Sequence, residues 1–322
     1  MKTIMGFYQQ DNQFNDLEKE FPQVDFVYPC TLEELAQELP DAEILVMLGT
    51  KYSPQVAKLV LDLGKNIKWV QSTTTGVDAF LKSGYPHQAV LTKGAGIWDV
   101  SVAEHVLAFI LALTRHIPHL ERNRQAHAWD RDRTWNLMGS LAGKTVGIAG
   151  YGNIGKEIAQ RLNGFNVKIN AYVRSLNVKD DKLNKLYFPG EFNAFLKDSD
   201  IIILMLPCTQ ETEYIIDTEQ FDQMKPGAII INAARGKLIR ESALVQALKQ
   251  GKIAAAGIDV FEEEPLPATS ELWDFPNIIL SPHCAATGDH DILYTCRLLK
   301  ENIKRYLNGM ELLYMFDKIK GY

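Results

Sequence analysis

No apolar run in this 322-residue chain approaches the length of a membrane span. Its opening residues, Met1-Lys2-Thr3-Ile4-Met5-Gly6-Phe7-Tyr8-Gln9-Gln10, turn polar too early for the apolar core of a signal peptide. Neither a membrane partner nor an export leader is expected. A long basic run is missing too: 34 Lys and Arg stand against 40 Asp and Glu, for a net charge of −6. That is no electrostatic footprint for nucleic acid. Cysteine is scarce, and Cys30, Cys208, Cys284 and Cys296 stand in no metal-ligand spacing. They predict thiols in a reducing cytoplasm, with no metal site and no disulfide framework. What remains is 46% hydrophobic and 23% charged, enough apolar material for two cores.

Strand and helix patterns alternate along that material. Apolar runs at 3–7, 25–28, 44–48, 68–71 and 89–92 predict strands, with helical patterns between them. Thr31-Leu32-Glu33-Glu34 reads as a capping box, and Ser101-Val102-Ala103-Glu104 as another. Behind the second, Val102, His105, Val106, Phe109, Ile110 and Leu113 recur at helical spacing. Further strands are predicted at 145–149, 167–172, 201–206, 228–232, 254–259 and 278–280, and a terminal helix at 289–308 that packs back on the first domain. The expected fold is α/β, with two doubly wound parallel-sheet domains. Residues 101–286 form a dinucleotide-binding domain inserted in a substrate domain of residues 1–100 and 287–322, with the active site in the cleft between them.

Gly150-Tyr151-Gly152-Asn153-Ile154-Gly155 is a G-x-G-x-x-G fingerprint. The apolar run Thr145-Val146-Gly147-Ile148-Ala149 enters it, and the helix-compatible Lys156-Glu157-Ile158-Ala159 leaves it. Gly150 allows a tight turn, Gly152 lets backbone approach a pyrophosphate, and Gly155 lets helix pack on strand. Open N–H groups at the helix start, those of Asn153 and Ile154 among them, then face the phosphates. A nicotinamide or flavin enzyme follows as the first hypothesis.

Three later segments carry chemistry: Ile231-Asn232-Ala233-Ala234-Arg235-Gly236, Gly257-Ile258-Asp259-Val260-Phe261-Glu262-Glu263-Glu264-Pro265 and Ser281-Pro282-His283-Cys284-Ala285-Ala286. With Ser72-Thr73-Thr74-Thr75-Gly76-Val77-Asp78 and Val102-Ala103-Glu104-His105 upstream, the chain resembles the D-isomer-specific 2-hydroxyacid dehydrogenase family over nearly its whole length. The resemblance implies roles. Arg235 matches the catalytic arginine, whose planar fork grips a carboxylate and polarises a carbonyl. His283 matches the acid/base histidine. Glu264 matches its carboxylate partner, holding the imidazole in one orientation and keeping its acid form present near neutrality, while Glu262 and Glu263 read as solvated charge. Asp259 is implied to bond the nicotinamide carboxamide, or else merely caps a turn. Thr75, Gly76 and Val77 match a substrate loop that binds a carboxylate through backbone N–H groups, with a plain turn as the competing reading. Leu206-Pro207, Thr209 and Thr212 match the stretch beside the adenine ribose, where Ala233 also belongs to the cofactor set; Thr212 alternatively caps a helix.

An NAD-preferring site carries an acid at the end of its second strand, about 20 residues after the fingerprint. Val173 stands there, followed by Arg174 and Ser175. A missing acid removes a repulsion, and a cation and a hydroxyl are offered to a 2′-phosphate. NADP is therefore the expected cofactor, with NAD possible if Arg174 lies on the adenine face instead. This departure resembles the glyoxylate/hydroxypyruvate reductase branch. The leading expectation is a cytoplasmic NADPH-dependent reductase of a small 2-oxo acid, giving a D-2-hydroxy acid. The alternatives are an NAD-linked dehydrogenase of a larger D-2-hydroxy acid and a non-enzymatic dinucleotide-sensing corepressor-like protein. A homodimer is expected from the resemblance. The stretch 128–135 is the place to look for its contact, unless those aromatics pack between domains. Trp98 and Trp135 are candidates to limit substrate size.

Overall fold

The computed structural model describes residues 1–8, 14–175 and 178–317. They divide into two compact units, Met1–Trp98 with Gly288–Tyr322, and Asp99–Thr287. The first unit holds strands β1 (Lys2–Gly6), β2 (Asp25–Val27), β3 (Ala42–Met47), β4 (Trp69–Ser72) and β5 (Val90–Thr92). They form a parallel five-stranded sheet in the order β2-β1-β3-β4-β5. This is the flavodoxin-like order.

Alternation along its strands assigns each side chain to a face. Leu45 and Met47 of β3 join one core with Leu35, Val56, Val60 and Phe80 from the covering helices. Ile44 and Val46 of the same strand join another, with Trp69, Leu17, Cys296, Leu299 and Ile303. The last three lie on the terminal helix, Asp291–Leu307, which packs on the first unit as its apolar spacing predicts. Inside that unit, buried Asn302 donates through Nδ2 to Gln71 Oε1 at 3.0 Å.

The second unit holds β6 (Thr145–Ala149), β7 (Lys168–Tyr172), β8 (Leu183–Tyr187), β9 (Ile201–Leu204), β10 (Ala228–Asn232), β11 (Ile253–Ile258) and β12 (Ile278–Leu280). They form a parallel seven-stranded sheet ordered β12-β11-β10-β9-β6-β7-β8. The order reverses at the β6–β9 pair, and in open parallel sheets ligands gather at such a reversal, beyond the C-terminal strand ends. Helix Asp99–Thr114 covers part of one face with Val102, Ala103, Val106, Phe109, Ile110 and Leu113 buried.

Three readings need correction. Strand β8 was not anticipated, because Leu183-Asn184-Lys185-Leu186-Tyr187 is half polar. It is an edge strand with Asn184 and Lys185 exposed, so it lacks the continuous apolar run of a central strand. The predicted capping box at Ser101 does not form: the helix starts at Asp99, placing Ser101 inside its first turn. The box at Thr31 does form, with Glu34 N donating to Thr31 Oγ1 at 3.2 Å and Thr31 N donating to Glu34 Oε2 at 3.2 Å. The strand from Ile201 ends at Leu204, two residues short of the predicted end.

Candidate active site

Because β6 to β12 are all parallel, their C-terminal ends share one edge of the sheet. The fingerprint follows β6. Gly150 has a φ of 100°, and a Cβ there would lie 2.4 Å from the Met205 carbonyl oxygen. A Cβ on Gly155 would lie 2.4 Å from the Gly150 carbonyl oxygen, so helix and turn touch through bare backbone. Gly152 differs: a Cβ there meets nothing within 4 Å. The protein's own packing does not demand glycine at 152, whereas close approach of a ligand does. Helix Asn153–Leu162 begins there without a side-chain cap. Its first N–H groups, those of Asn153, Ile154 and Gly155, are therefore open to an anion. The residues fit a dinucleotide pyrophosphate.

Val173, directly after β7, is buried and donates its N–H to Tyr187 O at 2.9 Å. Arg174 and Ser175 follow, both exposed, and Arg174 Nη2 lies 3.0 Å from Glu211 Oε2. Glu211 belongs to the loop after β9, where Thr212 is buried. Its hydroxyl donates to Pro207 O at 2.6 Å and accepts from Thr209 N at 2.8 Å, a turn-bracing role. Sequence reasoning missed one carboxylate close to the fingerprint: Asp180 accepts from the Tyr151 hydroxyl at 2.8 Å. Burial, reinforced by that bond, pushes the Tyr151 phenol well up. The backbone N–H of Lys182, followed by the Tyr151 bond, holds Asp180 below its ordinary range against the opposing effect of burial. No local spacing announces Asp180, because the chain between β7 and β8 returns it.

On the other side of the reversal, β10, β11 and β12 deliver the residues chosen for chemistry. Asn232, 1% exposed, ends β10, and its side chain brackets the next turn: Nδ2 donates to Arg235 O at 2.9 Å and Oδ1 accepts from Ala234 N at 3.1 Å. Ala233 is half-buried within the bracket. The Arg235 guanidinium donates through Nη1 to Ala234 O at 2.6 Å. At Gly236 a Cβ would sit 1.9 Å from Phe261 O, so the arginine turn lies directly on the segment after β11.

That segment carries Glu264. Its Oε1 accepts from Phe261 N at 3.0 Å, and its Oε2 lies 2.7 Å from His283 Nδ1. Both side chains are partly exposed, and the contact leaves His283 Nε2 directed elsewhere. His283 has a φ of 51° and donates its backbone N–H to Asp259 O at 2.8 Å. Asp259 is 1% exposed, and its carboxylate accepts from the Ser281 hydroxyl, from Cys284 N at 2.9 Å and from Ala285 N at 3.1 Å. The acidic run does not behave as solvated charge throughout. Glu262 is half-buried, accepting from Glu241 N at 2.6 Å and from the Tyr214 hydroxyl at 3.1 Å, because the chain turns back there against the helix at 241–249. Burial in turn raises the Glu241 carboxyl.

In the first unit, the loop after β4 is braced from several sides. Trp98 Nε1 donates to Thr73 O at 2.7 Å, and the Tyr8 hydroxyl lies 2.5 Å from Thr73 Oγ1. Among the described residues no backbone carbonyl takes up the N–H groups of Thr75, Gly76 or Val77. Thr75 is exposed, Gly76 partly so, and Val77 buried.

Residues 107–285 match the family described as D-isomer specific 2-hydroxyacid dehydrogenase, NAD binding domain. The chain belongs to this family. It is an oxidoreductase of the D-2-hydroxyacid dehydrogenase class and uses a nicotinamide dinucleotide. It is 35% identical to a glyoxylate reductase of Pyrococcus furiosus, over 86% of this chain and 83% of that one. It is 34% identical to a glyoxylate/hydroxypyruvate reductase B of Escherichia fergusonii, over 91% of each. Among solved structures it resembles an NADPH-dependent glyoxylate/hydroxypyruvate reductase from Sinorhizobium meliloti in complex with NADP and sulfate. The TM-score is 0.84 at 25% identity, over 100% of this chain and 99% of that one. These are named as glyoxylate or glyoxylate/hydroxypyruvate reductases, while proteins named as D-3-phosphoglycerate dehydrogenases match at similar identity.

Proposed function

We propose that this chain reduces a short 2-oxo acid of the glyoxylate or hydroxypyruvate kind to the D-2-hydroxy acid, with NADPH as its preferred donor. The observation that carries this reading is the 2.7 Å contact between His283 Nδ1 and Glu264 Oε2, at adjacent strand ends beside the Arg235 turn. A ketone accepting hydride at carbon needs a proton at oxygen. The bound coenzyme supplies the hydride. His283, held through Nδ1, presents Nε2 as the proton donor in reduction and the acceptor in oxidation. Arg235 offers a planar fork to the substrate carboxylate. Thr75, Gly76 and Val77 offer N–H groups that no backbone carbonyl among the described residues takes up, which suit an anion. Asp259 has one oxygen, Oδ2, engaged by Ala285 N alone among the described contacts, which leaves acceptor capacity for the carboxamide.

The cofactor preference rests on Val173 in place of an acid, with Arg174 and Ser175 beside it. Pro207 and Thr212 shape the neighbouring turn. One observation favours a second reading in which NAD serves as well: Glu211 already lies against Arg174. Parallel initial rates with NADPH and NADH, across glyoxylate, hydroxypyruvate, pyruvate and longer 2-oxo acids, separate the two. Strong NADPH preference that Arg174→Ala erases supports the first; equal rates, unchanged in Arg174→Ala, support the second. No turnover despite cofactor binding would overturn both in favour of a sensor.

A homodimer completes the proposal. Trp129 is 92% exposed, and Trp135, Ile117 and Leu120 are exposed near it in sequence. Apolar surface of this kind suits a partner copy. Light scattering of the native chain and of Trp129→Ala plus Trp135→Ala tests it: a dimer that dissociates in the double variant supports this face, and a monomeric native chain overturns it. The thiols Cys30, Cys208, Cys284 and Cys296 suit a reducing, cytoplasmic setting.

A further inference from the structure

The proton-transfer reading leaves one motif without a task. Of Val102-Ala103-Glu104-His105, the first two residues are core, and Glu104 lies 3.5 Å from Arg161 on the fingerprint helix. His105 has its ring edge-on against Phe109, with centroids 4.4 Å apart. Phe109 in turn packs against β11, where its ring would lie 2.7 Å from a Cβ placed on Gly257. His105 Nε2 is 3.0 Å from Ser281 Oγ and 3.8 Å from Asp259 Oδ1.

Proton bookkeeping orients this chain of contacts. A carboxylate only accepts, so the single Ser281 hydroxyl proton points at Asp259. Ser281 Oγ can then only accept from His105, which places a proton on Nε2. Donation runs from His105 to Ser281 to Asp259. Among the described residues, His105 is also the basic side chain within ion-pair reach of that buried carboxylate. A buried carboxylate is costly unless its lone pairs are met. Asp259 also accepts from Cys284 N and Ala285 N, the two residues after His283. His283 itself has left-handed backbone, which a non-glycine residue keeps only when its surroundings enforce it.

We propose that His105 is a positioning residue for the acid/base loop: through Ser281 it fixes Asp259, and Asp259 fixes the backbone that carries His283. This rests on the reading of His283 as the acid/base group. His105 touches neither substrate nor cofactor in this role, and the pyrophosphate is assigned to the turn and helix start at 150–155, so loss of His105 acts on turnover more than on cofactor binding.

The test compares His105→Phe, which keeps an aromatic ring but has no donor, with His105→Gln, which keeps an N–H donor. Ser281→Ala cuts the same chain from its other end, and His283→Ala is measured in parallel. For each, kcat, the KM for cofactor, cofactor affinity by fluorescence and the near-ultraviolet circular dichroism are recorded. In His105→Phe and Ser281→Ala, kcat should fall about tenfold while cofactor affinity stays within about twofold. His105→Gln should recover to within about threefold of the native rate. Native kcat in both His105→Phe and Ser281→Ala would overturn the proposal. Equal impairment of His105→Phe and His105→Gln would also overturn it, leaving a packing role. If His283→Ala keeps its activity, the acid/base reading itself fails; if it loses activity while His105→Phe and Ser281→Ala do not, only the positioning role fails.

Discussion

His283 is mounted on backbone with a φ of 51° and turned by a carboxylate 2.7 Å from Nδ1. If that ring moves the proton, His283→Ala should lower kcat by about 10²- to 10⁴-fold while cofactor affinity, read by fluorescence quenching, stays near native. Arg235 makes a different demand. A lysine has the charge but not the planar fork, so Arg235→Lys should raise the substrate KM and lower kcat/KM by about tenfold or more. Steady-state kinetics on the best 2-oxo acid reads both effects. These residues were picked out in the sequence by the resemblance of their short segments to the family, and the structure places those segments after strand ends. Glu262 was misread because its partners, Glu241 and Tyr214, are brought to it by the return of the chain, and the string Glu262-Glu263-Glu264 contains no trace of them.

Elements meet through glycines at two decisive places. Gly236 lets the turn after β10 lie on the segment after β11, with Phe261 O only 1.9 Å from where a Cβ would be. Gly155 does the same for helix and fingerprint turn. Neither obstacle is the end of a flexible side chain, so backbone has to shift. Gly155→Ala and Gly236→Ala should each cost about 1–3 kcal/mol or more of stability, seen as a lower midpoint in urea. Gly152→Ala meets nothing within 4 Å and should fold with native stability while losing dinucleotide affinity in a titration. Most strands were readable from apolar runs, since buried parallel strands are apolar on both faces. Strand β8 was not, because an edge strand keeps polar residues and its pairing with β7 is a tertiary fact.

Across the whole molecule, buried phenols set a limit on alkaline stability. Burial pushes the Tyr8 phenol up to about 12, against the bond to Thr73, which pulls it down. Burial also raises Tyr52, and Tyr306 is raised by burial together with its bond to Glu43. The folded chain therefore holds these protons more tightly than the unfolded chain does. Below a pH of about 10 both states are protonated and the contribution is complete; above it the unfolded chain ionises first and stability falls as the pH climbs towards about 12. Thermal melts between about pH 8 and pH 11.5 should show Tm dropping over the upper part of that range, and Tyr8→Phe should flatten the drop.

The order of most strands and helices and the dinucleotide turn were legible in the sequence itself, because each depends on backbone preferences and burial patterns within a short window, whereas Arg235, Glu264 and His283 were proposed from the resemblance of their segments to the family. Only the tertiary structure decided that Asp180 reaches Tyr151, that Glu211 lies on Arg174, and that His105 donates towards Asp259 through Ser281. Such partners are distant along the chain. They become neighbours only when burial of the whole sheet has settled which strands lie side by side, and no local window contains that choice.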